Sequence, residues 1–298
     1  MATTTSDRVL AVLNLFTLEQ PEWTVEGAAG ALNLTISTAY RYFRSLTQAG
    51  LLVAHTTGRY LLGPSIIQYD RQIRLHDPLI TAAQPMMKRL TEQLPRHTLM
   101  LLCRLFRSQV MCVHQEAAER PEFAVSYERG RPMPLFRGAA SKIILAHMPL
   151  RAVKALYGDQ AGKFSQAEIG RSWDEVKDRL RALRAAGLSI TRGEVDPGMC
   201  GIAVPLFEEE EAIVGSLSVV IPLRHLDATR LQSISELLKA AARETSWALS
   251  LGAGASGAPH PETTPVASSA GRGARPSPRE PAPRRRKPLR QQRRRARA

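Results

Sequence analysis

The chain has 298 residues, 44% of them hydrophobic and 23% charged, the composition of a globular protein of about two ordinary domains. Its longest apolar runs, at 99–103 and 214–222, fall far short of the roughly 18 residues a membrane span needs. The start MATTTSDRVL has no basic segment followed by an apolar run, so no secretory signal is expected and a cytoplasmic location is. Three cysteines, Cys103, Cys112 and Cys200, without a CxxC, exclude a disulfide framework and predict buried, structural thiols on strands. Neither they nor His97 and His114 match a zinc spacing, so no metal and no cofactor are expected. The net charge of +14 is mostly C-terminal: from Gly252 on, twelve Lys and Arg stand against Glu262 and Glu280. The remainder is mildly basic, which suits a DNA reader only if its cations are grouped on one element.

In chain order, Ser6 or Asp7 is expected to cap a first helix with apolar positions Val9, Leu10, Leu13, Leu15 and Phe16. Thr24 opens a second, TVEGAAGAL, and Asn33-Leu34-Thr35 makes a tight turn into a third. That third helix carries Ser37, Thr38, Tyr40, Arg41, Arg44 and Ser45 on one face and Ile36, Ala39, Phe43 and Leu46 on the other. Gly50 ends it in the left-handed position such helix ends favour. Two short apolar runs, Leu51-Leu52-Val53 and Tyr60-Leu61-Leu62, surround Thr56-Thr57-Gly58, which predicts a β-hairpin. Helix, helix, turn, helix, hairpin is a winged helix-turn-helix over residues 1–63. Its polar, cationic helix suits the major groove of a double-stranded DNA operator, and Arg59 at the hairpin tip suits a phosphate or the minor groove. An unrelated three-helix bundle with a solvated basic face is the competing reading.

Pro64 fits the first position of a linker helix over 64–77, broken by Asp77-Pro78. A helix about 78–94 follows, with Pro85 inside as a bend. The period then changes to strands, HTLMLLCRLF, QVMCVHQEA and EFAVSYE. A helix at about 138–147 is opened by small residues, a short helical piece lies near 149–157, and Ser172 caps another helix ending at Gly187. Strands GIAVPLF and IVGSLSVVI flank the acidic turn at 208–211, and Asp227 caps a last helix to Leu251. Residues 78–251 therefore read as an α+β, sensor-like domain around one antiparallel sheet. Residues 252–298 hold almost no large apolar residues and are expected to be a disordered basic tail. An arginine-rich arm adding salt-dependent nucleic-acid affinity, a solvated tail and an extension without a role all remain open for it.

The segments TISTAYRYFRSLTQAGLL, GRYLLGP, LFRGAASKIILA, GLSITRGEVDPGMCGIAVPLF and GSLSVVIP, in this order and spacing, resemble the IclR-type bacterial transcriptional regulators over residues 6–250. The resemblance implies a DNA-binding domain that dimerises and a C-terminal GAF-like domain that binds a metabolite and assembles dimers into tetramers. It places the effector against Gly138, Ala139 and Ala140 at a helix start, with Thr191, Gly201, Ser218 and Val220 on the facing strands. The N–H groups of a helix start attract a carboxylate, and small side chains let it come close. Relatives sensing small oxo-acids carry a cysteine near Gly201 and paired serines at Ser218 and Val220. Cys200 lies one residue off, on the opposite side of a strand. A roomier, less polar pocket is therefore expected, suited to an acid with an apolar, aromatic body. Ser141 stands where the family commonly has glycine before the lysine.

No GxSxG, Walker A, HExxH or GxGxxG occurs, so enzymatic activity is not expected. The carboxylates at 208–211 read as a solvated turn, and His114, Glu116 and Glu119 as surface charge on alternating positions. The expected function is a ligand-responsive, DNA-binding regulator of a catabolic operon, acting as a homodimer or tetramer without membrane contact. The alternative is a constitutive or architectural DNA binder whose GAF-like domain serves only assembly.

Overall fold

The computed structural model describes residues 4–119, 123–208 and 212–255; most of the acidic turn at 208–211 and the tail beyond 255 lie outside them. Helix α1 (Thr5–Leu13) is capped by Thr4, not by Ser6 or Asp7. Asp7 is the other half of a capping box: its N–H reaches Thr4 Oγ1 at 3.2 Å while its carboxylate accepts the Thr4 N–H at 2.8 Å. Val12 is the buried position of α1, whereas Leu10 is 56% exposed. Thr24 caps α2 (Val25–Ala31) and Thr35 caps α3 (Ile36–Gln48). Gly50, at φ 69°, closes α3. The Leu51 N–H then reaches Leu46 O at 2.9 Å and the Gly50 N–H reaches Thr47 O at 3.0 Å, a Schellman ending.

Ala39, Tyr42, Phe43 and Leu46 of α3 pack on Val12, Val25, Ala28, Ala29 and Leu52 to form the N-terminal core. Truncating Phe43, 1% exposed, would cost about 3–5 kcal/mol. Ile36 was expected on that face but is 59% exposed, because it opens α3 ahead of the first residue that meets the core, Ala39. The wing forms as expected from β2 (Leu52–Thr56) and β3 (Arg59–Leu62), antiparallel, with Gly58 between them. A two-residue strand, β1 (Trp23–Thr24), extends it by pairing with β3.

Helix α4 (Ser65–His76) is capped by Pro64 and buries none of its residues. Asp77 closes it and caps α5 (Pro78–Thr91), which runs on through Pro85. The same carboxylate holds Arg104 through two contacts, at 2.6 and 3.2 Å. Strands β4 (Leu99–Phe106), β5 (Gln109–Glu116), β6 (Pro132–Pro134), β7 (Ser189–Arg192), β8 (Met199–Phe207) and β9 (Ile213–Pro222) make one six-stranded sheet, ordered β6-β5-β4-β9-β8-β7. Every neighbouring pair is antiparallel. Helices α6 (Ala139–His147), α7 (Leu150–Gln166) and α8 (Trp173–Ala186) cover one face; α5 and α9 (Ala228–Ala255) cover the other. The arrangement is the α+β, GAF-like one expected.

Three expectations are corrected. EFAVSYE is not a strand in its described part: two of its main-chain groups are taken by side chains instead, the Ser126 N–H by Asp196 and the Tyr127 carbonyl by Gln115. The piece near 149–157 is the helical first part of α7 as expected, but the loop expected after it is a second helical stretch, running to Gln166 beyond the non-helical Gln160 (φ −139°, ψ 30°). Helix α9 continues past Leu251 to Ala255.

All three cysteines are buried and free. Cys103 faces Cys112 across β4 and β5, and a hydrogen bond with Cys112, then burial, pushes its thiol well above the usual range. Cys103 thus remains neutral and inert.

Candidate functional site

On α3, Ser37, Tyr40, Arg41, Arg44 and Ser45 are exposed and Thr38 is half-buried, its main-chain N–H held by Thr35 Oγ1 at 3.3 Å. Ser37, Arg41, Arg44 and Ser45 follow i, i+4, i+7, i+8 spacing, a stripe opposite the buried Ala39, Phe43 and Leu46. Among the described residues, neither Arg41 nor Arg44 has an ion pair or side-chain hydrogen bond. Arg59 is at the hairpin tip as expected, but its Nη1 pairs with Glu22 Oε2 at 3.0 Å. A phosphate contact must compete with that carboxylate.

In the C-terminal sheet, Gly138, Ala139, Ala140, Thr191, Gly201, Ser218 and Val220 line one cavity. Strand register explains the gathering: Thr191 stands opposite Gly201, and Gly201 opposite Val220. Cys200 packs in the cluster on the other face of the sheet, as strand alternation demands. Gly138 caps α6 at φ 84° with no side-chain bond to the helix start. A Cβ there would fall 2.9 Å from Tyr127 and from Val195, so only glycine fits. The first N–H groups of α6 thus open on the cavity without a side-chain acceptor.

The cavity is not roomy. Its volume of about 40 Å³ holds about three waters. Gly201 was expected to add space, but a Cβ at Gly201 would sit 3.3 Å from both the Ala139 Cβ and Thr191 Oγ1. The glycine admits the helix, and the helix fills the room. Val195, from the turn after β7, and Met199, the first residue of β8, close the rest with Tyr127.

Three polar residues of this wall, Tyr127, Glu194 and Asp196, lie outside the residues the sequence pointed to, and Ser141, behind the wall, has a role the sequence did not indicate. Tyr127 donates to Arg137 O at 2.7 Å and lies 2.7 Å from Ser141 Oγ; burial pushes its phenol well up, so it stays neutral. Ser141 is fully buried and is the partner of that phenol. Glu194 faces Lys142 Nζ at 2.8 Å, an ion pair outside hydrogen-bond geometry, and its main-chain carbonyl accepts from Arg137 at 2.7 and 3.0 Å. Asp196 accepts the main-chain N–H of Ser126 at 3.0 Å and its hydroxyl as well. The acids in EVD and the Tyr in VSYE were visible, but nothing local in the sequence joins segments some 70 residues apart. Ser218 is the exception to this pairing: 2% exposed, its Oγ has no hydrogen-bond partner among the described residues.

No group of three His, Cys, Asp or Glu able to hold a metal occurs among the described residues. His114 Nε2 lies 2.8 Å from Glu116 Oε1, while Glu119 pairs with Arg96 instead, so the three do not converge.

The model described as "Bacterial transcriptional regulator IclR C-terminal" matches residues 74–247, and the "IclR helix-turn-helix domain" matches 5–55. The chain belongs to the IclR family. The "Probable HTH-type transcriptional regulator ArcR" of Halobacterium salinarum is 27% identical over 76% of this chain and 86% of its own. An IclR-family regulator from Brucella abortus has the same fold, with a TM-score of 0.68 at 20% identity over 82% of this chain and 92% of that one. So does an IclR homologue from Microbacterium hydrocarbonoxydans complexed with 4-hydroxybenzoate, at TM-score 0.61 and 21% identity over 83% and 99%. This IclR-family protein is thus a DNA-binding transcriptional regulator, and no helix among its described residues is long and apolar enough to cross a membrane.

Proposed function

We propose that the protein is a ligand-responsive regulator of a catabolic operon, working in the cytoplasm as a homodimer or tetramer. Residues 1–63 read the operator, 64–77 link, and 78–251 sense and assemble. Arg41 and Arg44, with Ser37, Thr38, Tyr40 and Ser45, face the bases, and Arg59 leaves Glu22 for the backbone. The sensor binds a small organic acid between Gly138, Ala139 and Ala140 and the strands bearing Thr191, Gly201, Ser218 and Val220. The observation that carries this reading is one cavity where uncapped helix N–H groups meet a buried, unpartnered hydroxyl, that of Ser218. The 4-hydroxybenzoate complex of a relative with this fold supports an aromatic acid.

Such a ligand needs several hundred Å³, against about 40 Å³ here, so the cavity wall must yield when it enters. The ligand shifts the domains only as far as it prefers the opened arrangement. The small cavity also favours the second reading, a constitutive regulator whose C-terminal domain only assembles. Ala139→Trp separates the two: it should abolish the response of operator binding to a panel of aromatic and aliphatic acids while basal operator binding persists. A wild-type chain indifferent to every acid would support the second reading.

A further inference from the structure

We propose that a second small-molecule site, for a polyanion, lies in the open cleft between α6–α8 and β7. It goes beyond the acid-sensing reading and stands even if the inner cavity binds nothing. The cleft holds about 790 Å³, within the range of metabolite sites, against about 40 Å³ inside. Five cations line it, Arg137, Lys142, Lys163, Arg179 and Arg192, against two carboxylates, Glu168 and Glu194. Lys142 neutralises Glu194 at 2.8 Å, leaving four cations facing Glu168 alone.

Arg179 and Arg192 have no ion pair or side-chain hydrogen bond among the described residues. On α8 Arg184 shares this lack among the described residues, but only Arg179 of the two lines the cleft. Lys177 pairs with Asp174 and Arg181 with Asp178, each three residues earlier. The acid one turn before Arg179 is Glu175, which is turned to the helix start and accepts the Arg171 N–H at 2.8 Å. The two guanidiniums therefore both line the cleft, one from a wall made by a helix and the other from a wall made by a strand. β7 is also the terminal strand of the sheet, paired only with β8, and its whole length borders the cleft. A monoanion engages one wall. An anion with two or more charges, a phosphate ester or a polycarboxylate, bridges both, with bidentate geometry available at each guanidinium.

The test measures binding of inorganic pyrophosphate and of citrate to the full chain by calorimetry. It compares wild type, Arg179→Glu/Arg192→Glu and, as a control of equal charge change, Arg151→Glu/Arg181→Glu at one ionic strength. Arg179 and Arg192 are both exposed, so their double variant should keep its fold, checked by circular dichroism. It also keeps the basic tail, so attraction to the tail itself is the same in every chain. The wild type should bind at least one anion saturably. The Arg179→Glu/Arg192→Glu variant should bind it at least about tenfold more weakly, the loss of one charge-assisted contact. Arg151→Glu/Arg181→Glu, exposed and outside the cleft, should bind as wild type does. Pyrophosphate alone would identify a phosphate ester, and citrate alone a polycarboxylate. No saturable binding of either, equal affinity in the Arg179→Glu/Arg192→Glu variant, or an equal loss in Arg151→Glu/Arg181→Glu would overturn the proposal.

Discussion

The stripe on α3 and the wall built on α6 differ in how much of their chemistry is already taken. On α3 the polar groups point to solvent, and Arg41 and Arg44 have no partners among the described residues, while a separate row of the same helix makes the core. Around α6 the candidate residues are themselves core: Ala139 and Ala140 are 4% exposed and Ser218 2%. One region is formed and open; the other is formed and shut. The lesson is that substitutions on α3 should separate function from stability, whereas most around α6 should change both.

The largest expected effect is at the α6 start. Gly138→Ala places a Cβ 2.9 Å from Tyr127 and Val195 at φ 84°, which should destabilise by about 2–4 kcal/mol. Denaturant unfolding checks this, and a wild-type midpoint would mean that the wall yields. Next comes α3: Arg41→Ala and Arg44→Ala should each weaken operator binding by about 1–3 kcal/mol while leaving stability within about 0.5 kcal/mol. Wild-type footprints for both would remove α3 as the reader.

A smaller change is expected at the wing. Glu22→Gln frees Arg59 and should strengthen binding to all DNA sequences alike by up to about 1 kcal/mol, read by titration at fixed salt. A sequence-dependent gain would place Arg59 on a base edge.

The smallest effect is on pH. Burial holds His147, at the far end of α6, below the ordinary imidazole value of about 6.5. A depressed imidazole contributes stability that is present above the unfolded value and lost as pH falls from about 6.5 through the folded one. His147→Gln should flatten that decline in a melting series; an unchanged slope would assign it to other groups.

What the sequence revealed follows the same divide. The α3 stripe, the Gly50 ending and the hairpin are written in adjacent residues, where helical period and turn chemistry operate. The seven cavity residues came from family resemblance, and strand register explains why they meet. The cavity's closure was not legible. It depends on Val195 reaching Gly138 and on Asp196 holding Ser126, pairings between segments that no local pattern links. At α1 the ambiguity is local: Thr4, Ser6 and Asp7 are all capping residue types within four positions, and only the fold selects Thr4 as the cap with Asp7 as its partner.

Ser218→Ala tests most directly whether the shut cavity is a ligand site. If its buried, unpartnered hydroxyl is held for a ligand, removing it should raise the stability of the free protein by about 1 kcal/mol. The same change should weaken, by about tenfold, the acid that shifts operator binding in the wild type. Lower stability with undiminished acid affinity would contradict the assignment and make Ser218 an ordinary part of the core.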